Sequence, residues 1–139
     1  MAPRGRVAAG TVLAVRRPEQ TRPAAVVLRD AEQVSFGWGD VSGARFLPDG
    51  RVAFSAAFEG RPEEIFVRPP GSLTAQPLGL SDARLLAASA TGELAVLVPP
   101  TIALGLVSSG TAARVPSVGG IPREVAEHSV AADWSPKGE

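Results

Sequence analysis

Three observations predict an all-β fold for this chain. Residues 44–70 read as strand, tight turn, strand, loop, strand, with apolar runs at Ala44-Arg-Phe46 and Val52-Ala-Phe54 on either side of Leu47-Pro-Asp-Gly50. In that turn Pro48 pre-sets φ, Asp49 can bond its own backbone, and Gly50 accepts the positive φ that follows, which is hairpin chemistry. The pattern then returns at Arg84–Leu97 around Ala90-Thr-Gly92, and opens again at Ala131–Glu139 around Pro136-Lys-Gly138. Finally, 15 Gly and 13 Pro in 139 residues punctuate the chain too often for long helices. The turn glycines Gly50, Gly92 and Gly138 are 42 and 46 residues apart. A period of roughly 40–50 residues built from short strands is that of β-propeller blades, each of about four strands. The predicted fold class is therefore all-β, an incomplete β-propeller of about two four-stranded blades plus the start of a third.

Each element follows from local residues. Residues 1–22 are rich in Arg and Pro and are expected to be a flexible leader, with Thr11–Val15 a short strand at most. The partial propeller is expected over 23–139. Ala24–Leu28 and Gln33–Phe36 are short strand predictions ahead of the first blade. Blade one spans about 41–80, with strands at Gly43–Leu47, Arg51–Ala56, Glu64–Arg68 and Ala75–Leu78. Val52 and Phe54 alternate with Ala53 and Ser55, and small residues are expected on a face where two blades stack closely. Blade two spans about 82–125, with strands at Arg84–Ala88, Glu93–Val98, Thr111–Val115 and Arg123–Val125. Pro99-Pro100 is expected to stop its second strand, because proline cannot donate to a ladder. That leaves Thr101–Val107 as an apolar insertion, an extra strand or a plug between blades. A third blade begins at 130–139, at Val130–Ser135, and does not receive its later strands.

These residues carry a resemblance. Phe46-Leu-Pro-Asp-Gly50, Glu64-Ile-Phe-Val67 and Trp134-Ser-Pro-Lys-Gly138 resemble the repeat of TolB-type, WD-repeat-like β-propellers. Gly110-Thr-Ala-Ala-Arg-Val-Pro-Ser-Val-Gly-Gly-Ile-Pro-Arg-Glu-Val125 is similar to propeller regions attached to bacterial Ser/Thr protein kinases, and this closer resemblance covers residues 40–139. The departures are Ala90-Thr91 in place of Pro-Asp and Lys137 in place of Asp; both keep the glycine. The resemblance implies a binding or sensor module with an extracytoplasmic or periplasmic location.

Composition narrows the function classes. The chain is 45% hydrophobic and 20% charged, which suits a globular fold. Fourteen basic and 14 acidic residues balance, so no global field gathers nucleic acid or acidic lipid, and nucleic acid is not an expected partner. There is no Cys, so disulfides and thiolate metal sites are excluded. Basic residues precede a weakly apolar run at Val7–Val15, but Arg16-Arg-Pro18 stands where a cleavage site would follow. No window approaches the about 20 apolar residues of a membrane-spanning helix.

The chemistry-bearing residues do not assemble into a catalytic pattern. His128 is the single histidine, with only Glu124 and Glu127 near it in sequence, and reads as a surface residue between repeats. Glu63-Glu64 is a paired carboxylate, but residues adjacent on a strand point to opposite faces, so they cannot act together as acid and base; one is expected to be solvated and the other to sit at a blade edge. Gly37-Trp-Gly39 and Gly119-Gly120 fit neither phosphate-loop pattern. The kinase catalytic loop and the G-x-S-x-G elbow are absent. Arg45, Arg68 and Arg114 recur on strands and could line a channel. Trp38 and Trp134 could form an aromatic surface, although Trp134 holds the repeat's aromatic position and is expected in the blade core. No catalytic, cofactor-binding or metal-ligating residue is nominated, and no cofactor is expected. The expected function is a non-enzymatic propeller segment that binds a protein or small ligand, with self-association through open blade faces. The alternative is a detached piece of a propeller-containing receptor kinase or prolyl-oligopeptidase-like hydrolase whose catalytic domain lies elsewhere.

Overall fold

The computed structural model describes residues 33, 37–103 and 107–138. They belong to one compact unit, Glu32–Glu139. The strand expectations at Thr11–Val15 and Ala24–Leu28 lie outside the described residues, as does Gln33–Phe36 apart from Gln33, which is in no strand.

The described fold is all-β. Eight strands form two four-stranded antiparallel sheets, each laid out in chain order. The first sheet holds β1 (Gly39–Phe46), β2 (Val52–Phe58), β3 (Glu64–Arg68) and β4 (Gln76–Ser81). The second holds β5 (Arg84–Ala88), β6 (Glu93–Ala103), β7 (Val107–Pro116) and β8 (Arg123–Ser129). Glu64–Arg68 and Arg84–Ala88 fall where the sequence places them; the other strands extend beyond the predicted bounds at one or both ends, and β1, β2 and β4 also fall one residue short at the other end. The pair of sheets is not closed into a ring.

One face of the first sheet packs on one face of the second. Ala53, Ile65 and Val67 meet Leu85, Leu94, Val96, Ala113 and Val115, all buried. Cross-strand pairing puts Ala53 beside Val67 and Ser55 beside Ile65, so alternation sends all four to this face. Ala53 and Ser55 are fully buried, as expected for a close sheet-to-sheet contact. Gly43 serves the same purpose on β1: a Cβ there would stand 3.4 Å from the Leu85 carbonyl oxygen. The opposite face of the first sheet carries Phe54 stacked on its cross-strand partner Phe66, with centroids 5.5 Å apart, and Phe58 edge-on to Phe66 at 5.3 Å. Gly37 and Gly39 pack against the Phe58 ring, and a Cβ at Gly39 would also come within 2.1 Å of the Ala57 carbonyl oxygen. These two glycines therefore permit close packing beside the sheet.

The three turns share one geometry. Gly50, Gly92 and Gly138 have φ of +81°, +86° and +81°. Each donates its N–H to the carbonyl three residues earlier, on Leu47, Ser89 and Ser135 respectively, at 3.0, 3.2 and 2.9 Å. A positive φ at this point suits glycine, because an L side chain there crowds the backbone. The turns also follow the departures from the sequence pattern. Where Asp49 receives the Arg51 amide at 3.1 Å, Ser89 Oγ instead accepts the amides of Thr91 and Glu93 at 3.3 and 2.8 Å. Ser89 thus takes over the turn-closing role lost with the Pro-Asp pair.

One expectation is corrected. Pro99-Pro100 does not stop β6. Val98 pairs with Thr111 and Thr101 with Ser109, so the two prolines lie opposite the single residue Gly110. This is a bulge, a place where a strand tolerates residues without a ladder N–H. Gly110 is what admits it, since a Cβ there would be 2.3 Å from the Pro99 carbonyl oxygen. Past the bulge Thr101–Ala103 continue β6 and Val107 begins β7, with Ile102 pairing with Ser108 and Ala103 with Val107; residues 104–106 lie outside the described residues. Val130–Ser135 forms no strand and belongs to neither sheet. Trp134 of this segment lies against the second sheet, beside Ala95, Ala112 and Arg114.

Candidate functional site

At the end of the fold where β1 begins, a polar cleft forms between the two sheets. A cavity of about 330 Å³ is bounded by Asp40 and Ser42 of β1, Ala57 of β2, Glu63, Asp82, Arg84 of β5 and Pro100. Glu63 is the hub. Its carboxylate accepts from Arg84 Nε at 3.2 and 3.0 Å and lies 2.9 Å from a second Arg84 nitrogen. It also accepts from Ser42 Oγ. Ser42 Oγ in turn lies 2.7 Å from Ser55 Oγ, the fully buried hydroxyl of the sheet interface. The Glu63 carbonyl receives the Ala83 amide at 3.0 Å. The β2–β3 loop is thereby tied to the link into the second sheet by both main chain and side chain.

Local backbone explains the placement. Glu63 precedes β3, so it is released from strand alternation and turns into the cleft. Asp82 turns the chain between the sheets with φ +57°, a conformation that Asp tolerates better than most residues. His128 has φ +52° at the same distance from its turn glycine, ten residues before Gly138 as Asp82 is ten before Gly92. The match holds for these two positions only, since Asp40, ten residues before Gly50, has no positive φ.

Of the Glu63-Glu64 pair, Glu63 is shielded, its side chain being only 11% exposed. The arginines do not line a common channel. Arg45 donates to the Leu86 carbonyl oxygen at 2.7 Å, Arg68 is buried and donates to the Ser72 carbonyl oxygen, and Arg114 lies 4.7 Å over the Trp134 ring and pairs with Glu93. Cross-strand pairing accounts for this: Arg45 pairs with Ala53, Arg68 with Val52 and Arg114 with Ala95, which are positions on different faces. The tryptophans also differ. Trp134 is partly buried against the second sheet, whereas Trp38 is 92% exposed. Phe46, which shares the repeat position of Trp134, is 82% exposed. His128 is exposed on β8, beside a cavity that Glu127 and Thr111 also line. Among the described residues no group of three or more His, Cys, Asp or Glu is placed to hold a metal ion. No helix among them is long and apolar enough to cross a membrane.

At the other end of the sheets the turns gather. Pro48, Asp49 and Arg51 of the first turn share a cavity of about 430 Å³ with Ala90, Thr91 and Gly92 of the second. Gly138 of the third would place a Cβ 3.9 Å from the Thr91 methyl. Arg51 joins the two sheets here, donating to Ser117 Oγ at 2.9 Å and to the Ser117 carbonyl oxygen at 3.2 Å. The Arg51 amide holds the Asp49 carboxyl below its ordinary value of 3.8, helped by the Arg51 guanidinium and opposed by desolvation. The fold thus favours the charged form of Asp49. Its contribution to stability is complete above the ordinary value and is lost as pH falls through the lowered one. An NMR titration should place the Asp49 midpoint below 3.8 and find it raised in Arg51→Ala; a midpoint at or above 3.8 in the unmodified protein would contradict this.

Comparison with protein-family models, curated proteins and solved structures finds no match to this chain.

Proposed function

We propose that this chain is a non-enzymatic binding module built as a partial β-propeller, its two sheets being blades and residues 130–138 the opening of a third. The observation that carries the reading is the threefold turn. Three glycines at 42- and 46-residue spacing share one φ and one hydrogen bond, and two of them close the first hairpin of a four-stranded meander. Radial repetition of such units is propeller architecture. Binding in repeat folds uses the loops at the ends of the sheets. Here the Glu63–Arg84 cleft at one end and the Gly50–Gly92 turns at the other present polar groups held by both sheets. The partner is a protein or a small ligand.

Covalent extension tests the reading. Appending a second copy of residues 93–129 after Gly138 should continue the array. The appended Leu94 and Val96 would cover the outer face of the second sheet, and Trp134 should lose its residual exposure. Hydrogen exchange should then show slower exchange at Leu97 and Ala112. An appended segment that leaves those amides and the Trp134 emission unchanged would refute the repeat architecture. The purified protein should also turn over neither ATP nor peptide or ester substrates. Turnover that survives further purification and is abolished by one substitution in this chain would overturn the non-enzymatic reading.

A further inference from the structure

The two sheets are related by a repeat that can be followed residue by residue. Ala53 and Ser55 of β2 correspond to Ala95 and Leu97 of β6, since both pairs stand three and five residues after their turn glycines. Cross-strand pairing extends the match: Ser55 faces Ile65 and Ala53 faces Val67, as Leu97 faces Ala112 and Ala95 faces Arg114. The face of the first sheet that the second sheet covers therefore has a counterpart on the second sheet: Ala95, Leu97, Ala112 and Arg114. Against that counterpart lies Trp134, the positional equivalent of Ala88. Beside the indole remains a cavity of about 230 Å³, lined mainly by apolar atoms of Ala95, Ala112, Val125 and Ala132 together with Arg114 and Asp133. The indole Nε1 is buried and has no hydrogen-bond partner among the described residues.

We infer that this cavity and residues 131–134 form an acceptor groove for an extended strand of a partner polypeptide that carries apolar side chains at alternate positions. The inference rests on the repeat reading of the proposed function. At the corresponding place on the first sheet the occupant is visible: β6 pairs with β5, and Leu94 and Val96 reach the face formed by Ala53 and Ile65. Ala88 lies directly across from Leu94 in that pairing. An incoming strand beside Trp134 would present its apolar residues to Ala95 and Ala112 in the same way. Its size is bounded. An apolar cavity of about 150 Å³ admits a benzene ring, so about 230 Å³ admits one or two aliphatic side chains next to the indole. An extended main chain also supplies carbonyl oxygens, the acceptors that the Trp134 N–H lacks, and strand addition is a general mode of peptide recognition.

A second copy of this chain is a poor donor. Its β6 is held between β5 and β7. Its edge strands are blunted or covered: β4 by Pro77 and by Gly79 at φ +79°, β8 by charged Arg123, Glu124 and Glu127, and β1 by a bulge between Val41 and Gly43, while β5 packs against β1. The occupant that fits is a free extended segment reading apolar-x-apolar.

The test uses the full chain with Trp38→Phe, a substitution at a 92% exposed position that leaves one indole to observe. The hexapeptide Glu-Leu-Ala-Val-Leu-Val, which copies residues 93–98, is titrated while the indole N–H resonance and the fluorescence are followed. The control peptide carries Asn in place of the first Leu and the first Val. Saturable binding is expected, with a downfield shift of the Trp134 indole proton and an affinity at least about tenfold above the control. Ala95→Leu, which narrows the groove, should weaken binding by a similar factor; if that variant unfolds, the peptide comparison alone decides. Absence of a shift, or equal binding of the two peptides, overturns the acceptor groove. So does an indole shift that depends on protein concentration without peptide, which would assign the face to a second copy. If the covalently appended repeat changes exchange at Leu97 and Ala112 but the free hexapeptide does not bind, the groove fails and the repeat reading stands.

Discussion

Replacing Leu94 with alanine should lower the stability of the folded unit by about 2–5 kcal/mol, the range for removing a large aliphatic side chain from a close-packed core. Leu94 is fully buried and belongs to the cluster that joins the two sheets, with Ala53, Ile65, Val67, Val96 and Val115. Its neighbours are held in sheet ladders on both sides and cannot move in to refill the space, which puts the expected cost in the upper part of that range. Domains commonly have about 5–15 kcal/mol of stability in all, so the variant is expected to stay folded with a sharply reduced margin. Val118→Ala makes the comparison, because Val118 is 80% exposed and its truncation should cost less than about 0.5 kcal/mol. Urea unfolding of the three proteins, followed by far-UV circular dichroism, reads both values. A loss below about 1 kcal/mol for Leu94→Ala would mean that the sheets do not share a core. A loss confined to the second sheet, with the first still protected from hydrogen exchange, would mean the same.

Much of this fold was legible in the sequence, and the residues show why. Gly50 and Gly92 announce their turns because a positive φ can be read from residue type, and the apolar runs beside them set the strand pairs. Ala53 and Ser55 predict a close sheet contact through their small size. What sequence could not show depends on juxtaposition. Pro99-Pro100 reads as a strand terminator until Gly110, on the other strand, is seen to leave room for the bulge. Phe46 and Trp134 share a repeat position, yet each faces the preceding sheet, and only Trp134 has such a sheet among the described residues. The polar cleft was hidden for a related reason. Glu63 looked like half of an adjacent carboxylate pair, and its true partner, Arg84, is 21 residues away and in the other sheet. One signal did stand in the chain. Ser55 is a hydroxyl at an inward position of the run Val-Ala-Phe-Ser-Ala-Ala-Phe, and a buried hydroxyl asks for a partner. Ser42 is that partner, and Ser42 leads to Glu63.

The cleft can be tested through the same ion pair. Arg84→Met should destabilise the fold by about 1–3 kcal/mol, the cost of leaving a poorly hydrated carboxylate without its cation. Glu63 is 11% exposed and Arg84 is 30% exposed. The first value keeps water from replacing the guanidinium, and the second keeps the cost below that of a fully buried pair. Removing both charges, in Arg84→Met with Glu63→Gln, should recover much of the loss, because no charge is then stranded and Ser42 keeps an amide acceptor. The double-mutant cycle should therefore yield a coupling of about 1–2 kcal/mol, against less than about 0.5 kcal/mol for a pair that only decorates the surface. The Ala83 amide gives an independent readout. It donates to the Glu63 carbonyl oxygen at 3.0 Å, so its hydrogen exchange should accelerate in Arg84→Met and slow again in the double variant. A coupling below about 0.5 kcal/mol, with Ala83 exchange unchanged, would show that the pair does not hold the β2–β3 loop to the second sheet. The cleft would then lose its standing as a built site, because Glu63 joins its two walls through Arg84 and Ser42.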